Sequence, residues 1–241
     1  MNCDYHWYTD IGGRSENEDS VGIVRYGENI VAVVADGLGG QGDGKAASEV
    51  VRNGLLRCGD DGLFPDKQVL GRAFRAANSD LMEKQKNAFH MKSTAVYLCL
   101  QNDRAIWAHI GDSRLYHVCE ERLAEYTLDH SSSQLAVYLG EIKREEIPND
   151  PGRNRLVKVM GVEGDEPEIH GEIPLQPGQH AFLLCSDGLW EYLSDEIVVD
   201  VLSHSENSKQ AMIRLREIKE KKSPPDCDNN SGIVIFVKVQ V

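Results

Sequence analysis

Apolar residues fall in short blocks along this chain, and the blocks switch between two periods. Residues 21–26 and 30–35 are rich in β-branched side chains, and Gly27, Glu28 and Asn29 between them predict a hairpin. From 44 to 56 the apolar positions Ala47, Val50, Val51 and Leu55 fall on one helical face. Residues 66–83 repeat that spacing with Leu70, Phe74, Ala77 and Leu81, and Asp66 is placed to cap the helix. Four short strands are predicted next, at 94–100, 104–110, 114–118 and 122–127, with Gln101, Asn102 and Asp103 as a turn, so this run reads as an antiparallel meander. Residues 131–139 predict a short helix. Residues 140–164 are polar and irregular, with Pro148 and Pro151. Strands follow at 169–174 and 180–185. Ser194 caps a helix running to 202, with Asp195 and Glu196 favourably placed in its first turn. Residues 209–221 predict a further helix, 219–225 a charged, proline-ended loop, and 232–239 a last strand. Strands that come in runs, without strand–helix–strand alternation, predict an α+β fold with antiparallel sheets. There is no internal repeat or domain boundary, so residues 1–241 read as one domain with 140–164 as a flap on it.

Composition narrows the function classes. The chain has 241 residues, 41% of them hydrophobic, enough for a sizeable core. Thirty-nine carboxylates against 26 basic side chains give a net charge of −13. That balance excludes a nucleic-acid binder, which needs clustered Lys and Arg, and disfavours an anionic membrane surface. The six cysteines are scattered without a C-x-x-C pair, so neither a structural zinc site nor a disulfide framework is indicated. The N-terminus lacks a basic and then apolar leader, and no apolar run approaches the ~20 residues of a spanning helix. A cytoplasmic, monomeric protein is expected.

One feature recurs at distant places. Apolar blocks run into Asp36-Gly37, into Gly111-Asp112 and into Ser186-Asp187-Gly188, and Asp228 precedes the last block. Singly, Asp-Gly pairs are turn formers. Four such aspartates in one domain, brought to one sheet edge, would repel each other and be driven toward protonation. Hard divalent cations with oxygen ligands relieve that repulsion, which points to Mg²⁺ or Mn²⁺. Glycine beside aspartate also lets the backbone approach a ligand closely. Upstream, Arg14 stands among carboxylates and suits a bidentate role toward phosphate, with Glu18 or Asp19 as further ligands of metal or water.

These segments resemble the metal-dependent protein phosphatase (PPM, or protein phosphatase 2C) family. The resemblance lies in Arg14-Ser-Glu-Asn17-Glu18-Asp19, Ala35–Gly40, Ser93-Thr94-Ala95, Gly111–Arg114, Asp129-His130-Ser131, Ser186–Trp190 and Asp228–Ser231, in the family's order and over about the whole chain. It implies a four-layer αββα sandwich and phosphomonoester hydrolysis by a metal-activated water. It implies that Asp36 bridges two ions, with the Gly37 carbonyl on one, while Asp187 and Asp228 complete a shell. Glu18 and Asp19 would act through bound waters, and Arg14 would hold the substrate phosphate. Bacterial members often take a third ion, for which Asp112 and Asp187 match. Partners would be phosphoserine and phosphothreonine proteins and a cognate Ser/Thr kinase, with type VI secretion as one pathway. The alternative is an inactive phosphoprotein-binding module of the same fold. One departure concerns the histidine that many members carry after the Asp-Gly pair, where this chain has Leu38. The general acid is therefore unassigned, with a metal-bound water expected and His130 as the outside candidate.

Overall fold

A computed structural model describes residues 2–39, 43–85 and 91–240. Gly40, the last residue of the 35–40 motif, lies outside the described residues. The chain begins with β1 (Asn2–Asp10), β2 (Asp19–Tyr26), β3 (Asn29–Leu38), α1 (Asp43–Leu56) and α2 (Lys67–Lys84). Next come β4 (Lys92–Ser93), β5 (Ala95–Gln101), β6 (Arg104–Ile110), β7 (Arg114–Cys119), β8 (Arg122–Tyr126) and α3 (Ser132–Tyr138). The rest comprises β9 (Glu168–Ile169), β10 (Ile173–Pro174), β11 (Gly178–Cys185), α4 (Asp187–Trp190), α5 (Asp195–Ser203), α6 (Ser208–Lys222) and β12 (Asn230–Val239).

The strands form two antiparallel sheets. One has the order β1-β12-β11-β7-β8; the other runs β10-β6-β5-β3-β2, with β4 on β3 and β9 on β6. Between them lies a core of Ala32, Val34, Leu98, Trp107, Phe182, Leu184 and Ile235. Outside the second sheet, Val51, Leu55, Leu70 and Phe74 of α1 and α2 cover Val31, Val33, Tyr97 and Ile106. Outside the first, Val198, Leu202, Met212 and Leu215 of α5 and α6 cover Leu183, Cys185 and Val234. The expected αββα layering is what is seen. Alternate residues of β3 belong to different cores, so the strand is wet on neither face. That is why its sequence is an unbroken apolar run instead of an alternating one.

Local signals held where a side chain answers a backbone group. Asp66 accepts the Val69 amide at 2.7 Å, and Ser194 accepts that of Ile197 at 3.4 Å. The structure adds β1, which was not predicted. Its sequence carries polar residues on both faces, because it is an edge strand with Tyr5 and Trp7 exposed. The strand predicted at 169–174 is two short pieces on β6, and 140–164 contains a 3₁₀ turn at Arg144–Asn149.

Strand register gathers the aspartates. Asp19 pairs with Asp36, Ala95 with Ile110, Arg114 with Cys185, Cys185 with Gly232, and Asp10 with Asn230. The start of β2, the ends of β3, β6 and β11 and the start of β12 therefore share one end of the sandwich.

Candidate active site

At that end opens a cleft of about 520 Å³, lined by Arg14, Glu18, Asp36, Gly37, Asp112, Asp187 and Asp228 among others. Asp19 lies just beneath it, buried. Each acid is aimed by its own strand end. Asp36 is fixed through its backbone: its amide donates to Thr94 Oγ1 at 3.0 Å, and its carbonyl accepts from Ser93 Oγ at 3.0 Å and from the Thr94 amide at 2.8 Å. Thr94 Oγ1 is in turn 2.7 Å from Ser113 Oγ. Ser186 Oγ donates to Asp19 Oδ2 at 2.7 Å and accepts the Ser231 amide.

The electrostatics are those of crowded, desolvated anions. Burial pushes Asp19 up to about 6 and Asp112 up to about 7. Asp36 and Asp187 are pushed well above the usual carboxylate range, first by burial and then by the other aspartates. Asp19 Oδ1 is buried without a hydrogen-bond partner. Among the described residues, the one cation in the cleft lining is Arg14, which donates to Asp228 Oδ2 at 2.7 Å and is exposed. A set of oxygen donors, an orphaned buried carboxylate oxygen and uncompensated negative charge together fit a hard divalent cation. The acids line the cleft without closing on a common point, since no three of them bring carboxylate oxygens within 4.8 Å of one another.

The structure thus brings Arg14, Glu18, Asp19, Asp36, Gly37, Asp112, Asp187 and Asp228 to one place. It also alters two expectations. The Glu18 carboxylate lies against the start of α1, where a Cβ on Gly44 would stand 2.5 Å from its Oε1, so it faces a helix terminus. Arg14 holds Asp228, where a phosphate contact alone was anticipated. His130 is displaced from consideration as a proton donor. Its Nδ1 accepts the Gly111 amide at 3.1 Å, which leaves the ring proton on Nε2, 3.7 Å from Glu168. It stacks on His109 with centroids 4.6 Å apart, behind the strand end that carries Asp112, and burial pushes it down to about 3. Leu38 does line the cleft.

Sequence reasoning missed the work of Asn229. Its Oδ1 accepts the Glu18 amide at 2.8 Å, and its Nδ2 donates to the carbonyls of Ile11 and Glu16 at 2.8 and 2.9 Å. One side chain therefore clamps the loop bearing Arg14 onto the start of β12. The signal was its place beside Asp228 in the Asp228–Ser231 motif, which says nothing of these contacts.

Comparison with known proteins agrees with this geometry. The family model described as protein phosphatase 2C matches residues 10–223. The serine/threonine protein phosphatase PstP of Mycobacterium tuberculosis is 32% identical over 219 residues, which is 88% of this chain and 41% of that protein, so the chain spans less than half of it. A solved structure of the catalytic domain of PstP, in complex with two manganese ions, superposes with a TM-score of 0.83 at 27% identity, covering 99% of each chain. The structure of PppA, described as a key regulatory component of the type VI secretion system in Pseudomonas aeruginosa, superposes with a TM-score of 0.79 at 26% identity, covering 98% of this chain and 97% of that one.

Proposed function

Since the chain belongs to the protein phosphatase 2C family of serine/threonine protein phosphatases, we propose that it hydrolyses phosphoserine and phosphothreonine in proteins at this cleft. The observation that carries the proposal is the convergence of Asp19, Asp36, Asp112, Asp187 and Asp228, from both sheets, on one end of the sandwich. Asp36, the Gly37 carbonyl, Asp187 and Asp228 would hold a pair of Mn²⁺ or Mg²⁺ ions, with Glu18 and Asp19 behind them and Asp112 with Asp187 for a third. Such ions polarise phosphoryl oxygens and acidify water. Arg14 supplies charge to the equatorial oxygens of the phosphoryl group. It can do so with the guanidinium nitrogens that Asp228 does not occupy, and a cation that takes Asp228 frees the remainder. Leu38 offers no proton, so the leaving oxygen takes its proton from solvent within the cleft.

Two measurements test this. Phosphate release from a phosphothreonine peptide is expected with Mn²⁺ and is expected to fall to background in a chelator; full activity in the chelator would exclude the two-ion proposal. Binding of the peptide without turnover would leave a phosphoprotein-binding module instead. Arg14→Ala is expected to lower kcat/KM roughly 100-fold while changing stability by less than about 0.5 kcal/mol, because its ion pair is solvent-exposed. Kinetic titration and thermal melts of the same preparation separate the two effects.

The physiological setting is proposed more coarsely. A Ser/Thr kinase would be the opposing enzyme, and the likeness to PppA supports control of type VI secretion. Co-purification with, and dephosphorylation of, a kinase encoded beside this chain's gene would test both. No described helix is long and apolar enough to cross a membrane, and the cysteines are unpaired, which supports action in the cytoplasm; a monomer is proposed.

A further inference from the structure

Asp112 lies in the turn between β6 and β7, and Asp187 follows β11, the neighbour of β7, so the register of Arg114 with Cys185 brings their main chains together. No hydrogen bond joins their side chains among the described residues. Beyond that register, a buried side chain ties the two segments. The indole N–H of Trp190 donates to the main-chain oxygen of Asp112 at 2.9 Å. Trp190 is the last residue of α4, the single turn that Asp187 begins, so Asp187 and the ring that grips Asp112 belong to one rigid piece.

The ring itself is immobilised. It is 1% exposed, and the Arg114 guanidinium lies over it, 3.4 Å from the centroid. Arg114 is anchored in turn: its Nε and Nη2 fork onto the two oxygens of Asp129 at 2.7 Å each, and its Nη1 donates to the Tyr116 hydroxyl at 3.1 Å. All four residues are buried. A rigid chain of contacts thus runs from Asp129 through Arg114 and Trp190 to the backbone of Asp112.

We propose that Trp190 is a positioning residue for a cation shared by Asp112 and Asp187, acting by fixing the Asp112 main chain against α4. This rests on the assignment of those two acids to a third ion, but not on turnover. Groups that orient a metal ligand from outside its shell commonly change metal affinity 10- to 100-fold when removed.

Trp190→Phe keeps an aromatic ring beneath Arg114 but deletes the N–H together with part of the indole's buried bulk, leaving the buried Asp112 carbonyl without its donor. Calorimetric titration of metal-free protein with Mn²⁺ is expected to show a weaker binding event that Asp112→Asn abolishes. Trp190→Phe is expected to weaken that event 10- to 100-fold and to leave the tighter binding unchanged. In the Asp112→Asn background, Trp190→Phe should change Mn²⁺ binding no further.

A wild type with no Asp112-dependent event overturns the proposal. So does a Trp190→Phe titration that matches wild type, or one that weakens all binding equally in both backgrounds, as a merely structural defect would. A second measurement needs no Trp190 variant. Mg²⁺ titration of the wild type should alter indole emission at the weaker site's concentration and fail to do so in Asp112→Asn; emission that stays constant to saturation also overturns the proposal. Mn²⁺ binding that follows this pattern without hydrolysis of any phosphopeptide would sink the proposed activity and leave the role of Trp190 standing.

Discussion

Asp36→Asn is expected to abolish phosphopeptide hydrolysis, by at least about 1,000-fold, and at the same time to raise the melting temperature of the metal-free protein. The two effects have one origin. Asp36 is paired in register with Asp19 and feels Asp187, Asp112 and Asp228 as well. Under the proposed assignment Asp36 would serve both cations, and one substitution would remove it from both. As a desolvated anion among anions it opposes folding until cations arrive, and asparagine of the same shape removes that charge. A relief of roughly 1 kcal/mol corresponds to about 2–4 °C in a chain of this size. The sign of the pH dependence follows. Asp19 and Asp112 are raised to about 6 and about 7 in the folded state, above their ordinary value of 3.8. Groups raised on folding favour the fold at low pH, and that contribution is lost as pH rises through 6 to 7. Metal-free wild type should therefore melt at a higher temperature near pH 5.5 than near pH 7.5, and saturating Mg²⁺ should remove much of the difference. Calorimetric scans with and without Mg²⁺ check it. Undiminished hydrolysis by Asp36→Asn would place the reacting centre elsewhere, and an unchanged or lower metal-free melting temperature would mean the crowded carboxylates cost the fold little.

The acids were legible in the sequence because a strand end leaves a plain mark, an apolar block running into aspartate, and because the ordered motifs restricted what the blocks could be. Register then did the rest, since antiparallel pairing carries the end of β3 to the start of β2 and the end of β11 to the start of β12. What stayed hidden depends on side chains meeting across long separations. Asn229 reaches Glu18 over 211 positions, and Trp190 reaches Asp112 over 78. Neither contact has a period or a composition to announce it. β1 was hidden for another reason, as an edge strand half covered by α6 shows no continuous apolar run. His130 was ambiguous in sequence because a histidine near a catalytic motif and a histidine packed behind one look the same. Its ring stacking and its bond from Gly111 decide between them.

Gly37 carries a second demand besides the one its sequence position suggested. Beside Asp36, its small size suggested close approach of the backbone to a ligand. A Cβ on Gly37 would stand 1.9 Å from the Gly44 carbonyl oxygen and 2.8 Å from that of Glu18. Both obstacles are backbone atoms, and one belongs to the first turn of α1, so no side-chain rotation can make room. Gly37→Ala must push α1 off the sheet, loosening Ala47, Val51 and Leu55 from Val31, Val33 and Ala35 and parting the start of α1 from the Glu18 carboxylate. The expected cost is about 3 kcal/mol or more, a fall of roughly 6–12 °C in melting temperature. Gly71→Ala is the matched control. It lies within α2, its added Cβ meets only the flexible ends of side chains, Ile169 at 3.4 Å and Arg75 at 3.5 Å, and alanine favours the helix, so its melting temperature should stay level or rise. If Gly37→Ala instead melts with the wild type and loses only Mn²⁺ affinity, the ligand alone explains the glycine. If it melts lower with the loss of cations following from it, helix packing fixed the residue first, and the carbonyl available to a metal is a consequence of how tightly α1 seats on β3.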